Sequence, residues 1–329
     1  MIPPRRLAAL QFGAVLCALF ASLTIGAAAI PLDTLLAAPF GGDADAWLIL
    51  REVRLPRALL ALAIGAGLGM SGAALQALLR NPLAEPGVVG ISSTAGFGAV
   101  LAFYSGLSRE FPLALPLGGL AGALAGTLLM LRLTRGSSAS LALILAGVAL
   151  TTFASAGTSL VLSLAPNPYA AYEIIFWLMG SLADRSLLHV VLAAPFILAG
   201  LALLLRAARG LEALALGEDS ARSLGVDVAR LEIAVVVGTA LAVGPGVAVA
   251  GFIGFVGLLV PHALRPFVGS RPSVLLPQSA LGGALATLVA DIACRLVPTL
   301  GELKLGIVTA LLGAPFFLWL LTRERRLHA

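Results

Sequence analysis

Few side chains in this sequence can do chemistry, and their spacing limits what that chemistry could be. The three histidines, His189, His262 and His328, are scattered and form no His-Glu-x-x-His or similar ligand spacing, so no metal centre is expected from this chain. Lys304 is the sole lysine and stands in no Gly-x-x-x-x-Gly-Lys-Ser/Thr phosphate loop. Any use of ATP must therefore depend on another chain. Cys17 and Cys294 sit far apart in apolar stretches and imply neither a disulfide nor a redox pair. Charged spacing is more informative. Asp291 and Arg295 are four apart, which suits an ion pair along one helix face, and Arg54 and Arg57 are three apart. Guanidinium forks of this kind bind carboxylates through two parallel hydrogen bonds.

The elements that must position these residues are read from composition. The chain has 329 residues, 60% apolar and 11% charged, with a mean hydropathy of +1.04. Soluble domains are about half apolar and about a quarter charged, and a spanning helix uses about 20 mainly apolar residues. An all-α polytopic membrane protein follows, organised as a single transmembrane domain over 1–329. The first apolar run, 7–30, follows Arg5 and Arg6 and resembles a signal peptide, with Ala27-Ala28-Ala29 as a small-residue site. Its length exceeds a usual signal core and favours an uncleaved span. Further spans are expected at 57–79, 88–106, 113–132, 141–163, 187–206, 231–250, 252–268, 273–295 and 304–322, ten in all. With the N-terminus inside, 14 of the 21 basic residues fall in inside segments and 7 outside. The positive-inside rule then puts both termini in the cytoplasm, so the net charge of +5 is loop charge rather than a sign of nucleic acid. Residues 31–56 and 164–186 are expected outside, the latter holding a short helix, and 207–230 inside.

Four stretches carry more than hydropathy. Arg54-Leu55-Pro56-Arg57 opens the second span, which closes through Gln76 and Arg80-Asn81-Pro82-Leu83-Ala84-Glu85-Pro86-Gly87. The inside loop reads Ala215-Leu216-Gly217-Glu218-Asp219-Ser220-Ala221-Arg222-Ser223-Leu224-Gly225-Val226. Then comes Gly251-Phe252-Ile253-Gly254-Phe255-Val256-Gly257 through Pro261-His262, with Arg265 following. Glycines at 251, 254 and 257 suit close helix approach. Pro261 is expected to break that span, and Asn81-Pro82 to turn the chain. Together, from about Arg54 to Phe317, these stretches resemble the permease subunits of type II ABC importers, which take up vitamin B12, haem and ferric siderophores.

The resemblance implies a multi-pass protein of the bacterial inner membrane that is not itself an enzyme. It implies a homodimer with the conduit between two copies, two ATP-binding subunits inside and a periplasmic substrate-binding protein outside. By the same resemblance the chain would bind no cofactor of its own, and ATP and Mg would belong to the partner ATPase. The coupling segment would comprise Leu214, Leu216, Gly217, Glu218, Asp219, Arg222, Leu224 and Gly225, where two short amphipathic helices broken at Gly217 would enter a cleft of the ATPase. Arg54, Arg57 and Arg295 would receive acidic residues of the binding protein; the other reading makes them headgroup anchors, with Arg295 paired to Asp291. Ser137, Ser138 and Ser140 would line a cytoplasmic gate, or form a simple flexible turn. Haem is the first choice of cargo, because Tyr169, Tyr172, Met179 and His189 are candidate contacts at the outer mouth; packing or interfacial belt roles are the alternative. Lys304 departs from the proline usual in the family and can snorkel to the outer interface. The runner-up, an ion-coupled secondary transporter of a hydrophobic solute, needs ionisable residues inside its spans, and here the span centres hold almost none.

Overall fold

A computed structural model describes residues 3–26, 28, 30–111, 113–134, 140–165, 167–297 and 301–327. Among these the chain is helical and has no strand. In a bilayer every backbone N–H and C=O must be satisfied within the protein, and helices do this locally. The helices are α1 (Pro4–Thr24), α2 (Leu32–Ala37), α3 (Ala44–Leu48), α4 (Leu55–Leu78), α5 (Ile91–Tyr104), α6 (Leu107–Glu110), α7 (Ala114–Leu133) and α8 (Ser140–Ser163). They continue with α9 (Pro168–Leu178), α10 (Leu187–Ala215), α11 (Glu218–Ser223), α12 (Val228–Ala250), α13 (Val256–Val268), α14 (Pro272–Leu296) and α15 (Leu305–Leu327). Among the described residues seven helical stretches are long and apolar enough to cross a membrane, and α5, α13 and the first part of α15 are shorter apolar helices. They fall where apolar runs were expected. The short helix expected within 164–186 is α9.

The core is organised around α4. A π-helical turn, Ile49–Arg54, joins α3 to it, and nearly all of its side chains are buried. It packs against α10, α12, α13 and α14. Small residues allow this. A Cβ on Gly69 would lie 2.0 Å from the Ser279 carbonyl oxygen of α14, and one on Gly72 would lie 1.8 Å from that of Gly257 in α13. Water drives no packing between helices in lipid, so close backbone approach is what gives them van der Waals contact.

Two expectations about boundaries are corrected. Residues 207–215, expected in the inside loop, extend α10, and Ala207, Ala208, Leu211 and Leu214 are buried. Their spacing continues one packed helical stripe, which outweighs Arg206, Arg209 and Glu212 beside it. Pro261 does not break its span; it lies within α13. The break comes earlier, where 251–255 is not helical and Gly251 and Phe255 have positive φ, +75° and +65°. Near Pro82 the turn is as expected, with Asn81 Oδ1 accepting from the Leu83 N–H at 2.9 Å.

Candidate docking and coupling sites

The end at which α4 begins, expected from charge to face outside, is held together by a buried ionic network. Asp291 in α14 is fully buried and accepts from Arg57 of α4, Nε at 2.9 Å and Nη2 at 2.8 Å. Arg295, one turn along α14, donates to the same carboxylate through Nε at 3.0 Å and through Nη2. Arg57 also pairs with Glu302, in the segment before α15. The remaining donors serve α1. The last carbonyls of a helix have no partners inside it and sit at the negative end of its dipole. Arg295 Nη1 donates to Ser22 and Ile25 carbonyls at 2.8 and 2.9 Å. Arg54 donates to those of Leu23 and Thr24 at 2.8 Å each, and to Ala28 at 2.6 Å. Two arginines from later in the chain thus cap the first span and make it part of the packed structure.

This changes the expected picture of the docking arginines. Arg54, Arg57 and Arg295 do line one cavity of about 860 Å³ at this end. Their guanidinium groups, however, are committed to internal acceptors, and Arg54 is only 3% exposed. The Arg295–Asp291 pairing, read in the sequence as the structural alternative, is present. Arg185, to which the sequence assigned no role, also lines the cavity. Burial pushes its pKa below the usual arginine value, with partial compensation from Asp184.

The candidate cargo contacts are placed separately. Tyr169 and Tyr172 are exposed on α9, and Met179 caps that helix. His189 lies in the first turn of α10, where its Nδ1 is 3.0 Å from the Ser186 hydroxyl and accepts from the Ser186 N–H. That is a capping role, so this ring nitrogen is not free to meet a cargo. Lys304 stands with its Nζ 5.8 Å from the centre of the Phe176 ring, a cation–π contact that ties the segment before α15 to α9.

At the opposite end α10 runs into α11 through Gly217, whose φ of +116° suits a residue without Cβ; Gly225, at +82°, ends the next turn. Ala221 is buried and seats α11, whereas Leu216 and Leu224 on either side of it are 70% and 64% exposed. Arg222 pairs with Glu218 at 3.3 Å and Asp219 at 3.6 Å. Such exposed pairs stabilise little, and the polar residues remain at the surface. Leu214 is corrected: it is packed in the core and cannot be a docking contact. Glu212, missed in the sequence, accepts from the Ser273 N–H and hydroxyl and pairs with Arg271 at 3.5 Å. A carboxylate at the start of α14 complements the helix dipole and locks the end of α10 to α14. Nearby, Arg265 donates to Gln76 Oε1 at 2.6 Å, and Gln76 Nε2 donates to the Gly257 carbonyl. Ser137 and Ser138 of the expected gate lie outside the described residues, and Ser140 starts α8.

A core of small-residue helices, with one end closed ionically and a surface helix joined to a long span at the other, is the frame of a membrane permease, and its likeness to known transport proteins gives the class, an ABC importer permease. The chain belongs to the FecCD transport family, whose model matches residues 14–323. It is 41% identical over 279 residues to the vitamin B12 import system permease proteins BtuC of Salmonella typhimurium and Salmonella typhi, covering 84% of each chain. A solved structure described as an inward-facing conformation of a metal-chelate type ABC transporter superposes with a TM-score of 0.87 at 32% identity, over 97% of this chain and 99% of that one. The protein is a multi-pass transport subunit of the bacterial inner membrane.

Proposed function

We propose that the chain is the conduit of an ATP-driven importer for a bulky metal chelate, with a corrin of the vitamin B12 type as the cargo. The observation that carries this is the 41% identity to vitamin B12 permeases across most of both chains. Two copies would enclose the path, and the row Leu141, Leu145 and Val148, exposed along one face of α8, suits burial against a second copy. Two partner ATPases would hold ATP and Mg and dock at Leu216, α11 and Leu224. ATP shifts the pair of copies between inward- and outward-open arrangements only if it favours one of them. A soluble binding protein would deliver the cargo outside. Haem is the second reading, supported by the exposed Tyr169 and Tyr172.

The test is uptake into proteoliposomes containing the permease and its ATPase, with the cognate binding protein added outside. Cobalamin, haem and a ferric siderophore are supplied in turn. ATP-dependent cobalamin uptake is expected; haem uptake alone would establish the second reading. Uptake driven by an ion gradient without ATP would refute both.

A further inference from the structure

A second cavity, of about 790 Å³, is walled by the end of α7, the first turns of α8 and α12, and the segment joining α11 to α12. Its apolar wall includes Leu128 of α7 and Ile233 of α12, which are 52% and 49% exposed. Leu128 continues an exposed row with Leu117 and Leu124 along α7. On α10, which packs against α12 as α7 does, Val191, Leu198 and Leu205 form another. Spacings of seven and four keep each row on one helix face, and in a bilayer such faces meet acyl chains, which are as apolar as leucine. The apolar wall of the cavity thus continues lipid-facing surface.

Four charged side chains share the lining. Arg222 is held by Glu218 and Asp219, and Asp227 pairs with Arg230 at 3.1 Å while capping α12. Arg132, exposed in the last turn of α7, and Glu232, half-buried in α12, behave differently. They form no hydrogen bond or ion pair with each other or with any other described residue. Glu218 and Arg222 act on Glu232 with opposite signs. The wall therefore offers one charge of each sign, at the level where α7 ends and α12 begins.

We propose that this cavity binds a phospholipid with a primary ammonium headgroup, of the phosphatidylethanolamine type, its phosphate on Arg132 and its ammonium on Glu232. A guanidinium and a phosphate form charge-assisted, bidentate hydrogen bonds, and an ammonium brings three N–H donors to a carboxylate. A zwitterion answers both charges. An anionic headgroup would answer Arg132 and leave Glu232 facing a second negative charge. Basic pockets between spans hold lipid headgroups; here the added carboxylate selects among them. Leu128 and Ile233 lie against the start of the acyl chains. The volume of about 790 Å³ falls within the about 300–1,000 Å³ of ligand-binding clefts. A segment of an ATPase fits less well, because Leu128 and Ile233 belong to spans and not to the surface helix α11. The site is additional to the importer reading and holds for any cargo.

The test is native mass spectrometry of the full-length permease, alone and in its ATPase complex, titrated in detergent with single lipids of matched acyl chains. Phosphatidylethanolamine is expected to bind about 10-fold more tightly than phosphatidylglycerol, which has no ammonium, or phosphatidylcholine, whose ammonium has no N–H. That ratio is the size of one charge-assisted hydrogen bond, about 10-fold. Glu232→Gln should abolish the preference without weakening phosphatidylglycerol binding. Arg132→Gln should weaken both lipids about 10-fold. Neither variant should melt below wild type in lipid-free detergent, since neither side chain has a partner among the described residues. Equal binding of the three lipids by wild type, or a preference that survives Glu232→Gln, overturns the proposal. Lowered melting of both variants would assign the two charges to the fold instead, and binding that vanishes in the complex would assign the cavity to the ATPase. None of these readouts involves transport, so a failed importer reading leaves them unchanged.

Discussion

Replacing Asp291 by Ala removes the carboxylate that Arg57 and Arg295 share. Both arginines are nearly buried, with side chains 11% and 6% exposed, and Asp291 is at 0%. Breaking a buried ion pair by deleting one partner costs about 3–5 kcal/mol, because the charge left behind is uncompensated. Arg57 would keep Glu302, and Arg295 would keep Ser22 and Ile25, which points to the lower end, about 3 kcal/mol. At about 2 °C per kcal/mol for a large chain, the detergent-purified permease should melt about 6 °C lower. The control is Arg57→Leu, Asp291→Leu and Arg295→Met combined, since a buried ionic cluster replaced as a whole by apolar residues is often close to neutral. This variant should melt above Asp291→Ala even though α1 loses one of its caps. Scanning fluorimetry decides. A melting point for Asp291→Ala within about 2 °C of wild type, or a triple variant less stable than the single one, would refute this account of the network.

Leu216→Asp with Leu224→Asp should release the ATPase during co-purification and leave the permease monodisperse, because both side chains are exposed; an intact complex would remove α11 from the coupling surface. Gly72→Ala should lower expression and melting temperature sharply, since its Cβ would sit 1.8 Å from the Gly257 carbonyl oxygen and both backbones would have to part; an unchanged melting curve would disprove the close approach. Ser140→Cys in a Cys17→Ser, Cys294→Ser background should crosslink two copies in a nucleotide-dependent way in the full complex. Yields indifferent to nucleotide would argue against a gate at the start of α8.

Hydropathy made the helices legible because in lipid the composition of a span is nearly its whole specification. The inaccuracies lie where composition is mixed. Residues 207–215 carry Arg209 and Glu212, yet Ala208, Leu211 and Leu214 are buried, a stripe that hydropathy averaging dilutes. Pro261 was a weak guide because a proline inside a membrane helix can be supported by its neighbours, and α13 accommodates it. The docking arginines were the hardest. Their spacing showed charge and direction, but the acceptors that hold Arg54 and Arg295 include backbone carbonyls in and just after the last turn of α1, contributed from roughly 30 and 270 positions away. Arg185 had no pattern at all in the sequence. Only the fold brings it to the cavity wall.

The two ends of the molecule are joined by α10. This helix starts at the Ser186 cap, next to Arg185 in the cavity wall, and ends at Leu216, where the exposed surface proposed for coupling begins. Its 29 residues span about 44 Å at about 1.5 Å each, enough to cross a bilayer with a turn or more to spare. It packs along α4, α12 and α14, and Glu212 fastens its inner end to Ser273 and Arg271 at the start of α14. The core helix α4 is fixed at both ends, by Arg57 outside and by Gln76 with Arg265 inside. In the proposed importer, a displacement of α11 by an ATPase would reach α10 through the turn at Gly217, while α4 is tied to α13 and α14. Signals between ATPase and binding protein need no chain of polar relays in such an arrangement. In the proposed importer, a long helix leaning against a fixed core would supply the coupling, which accords with span centres almost free of ionisable residues.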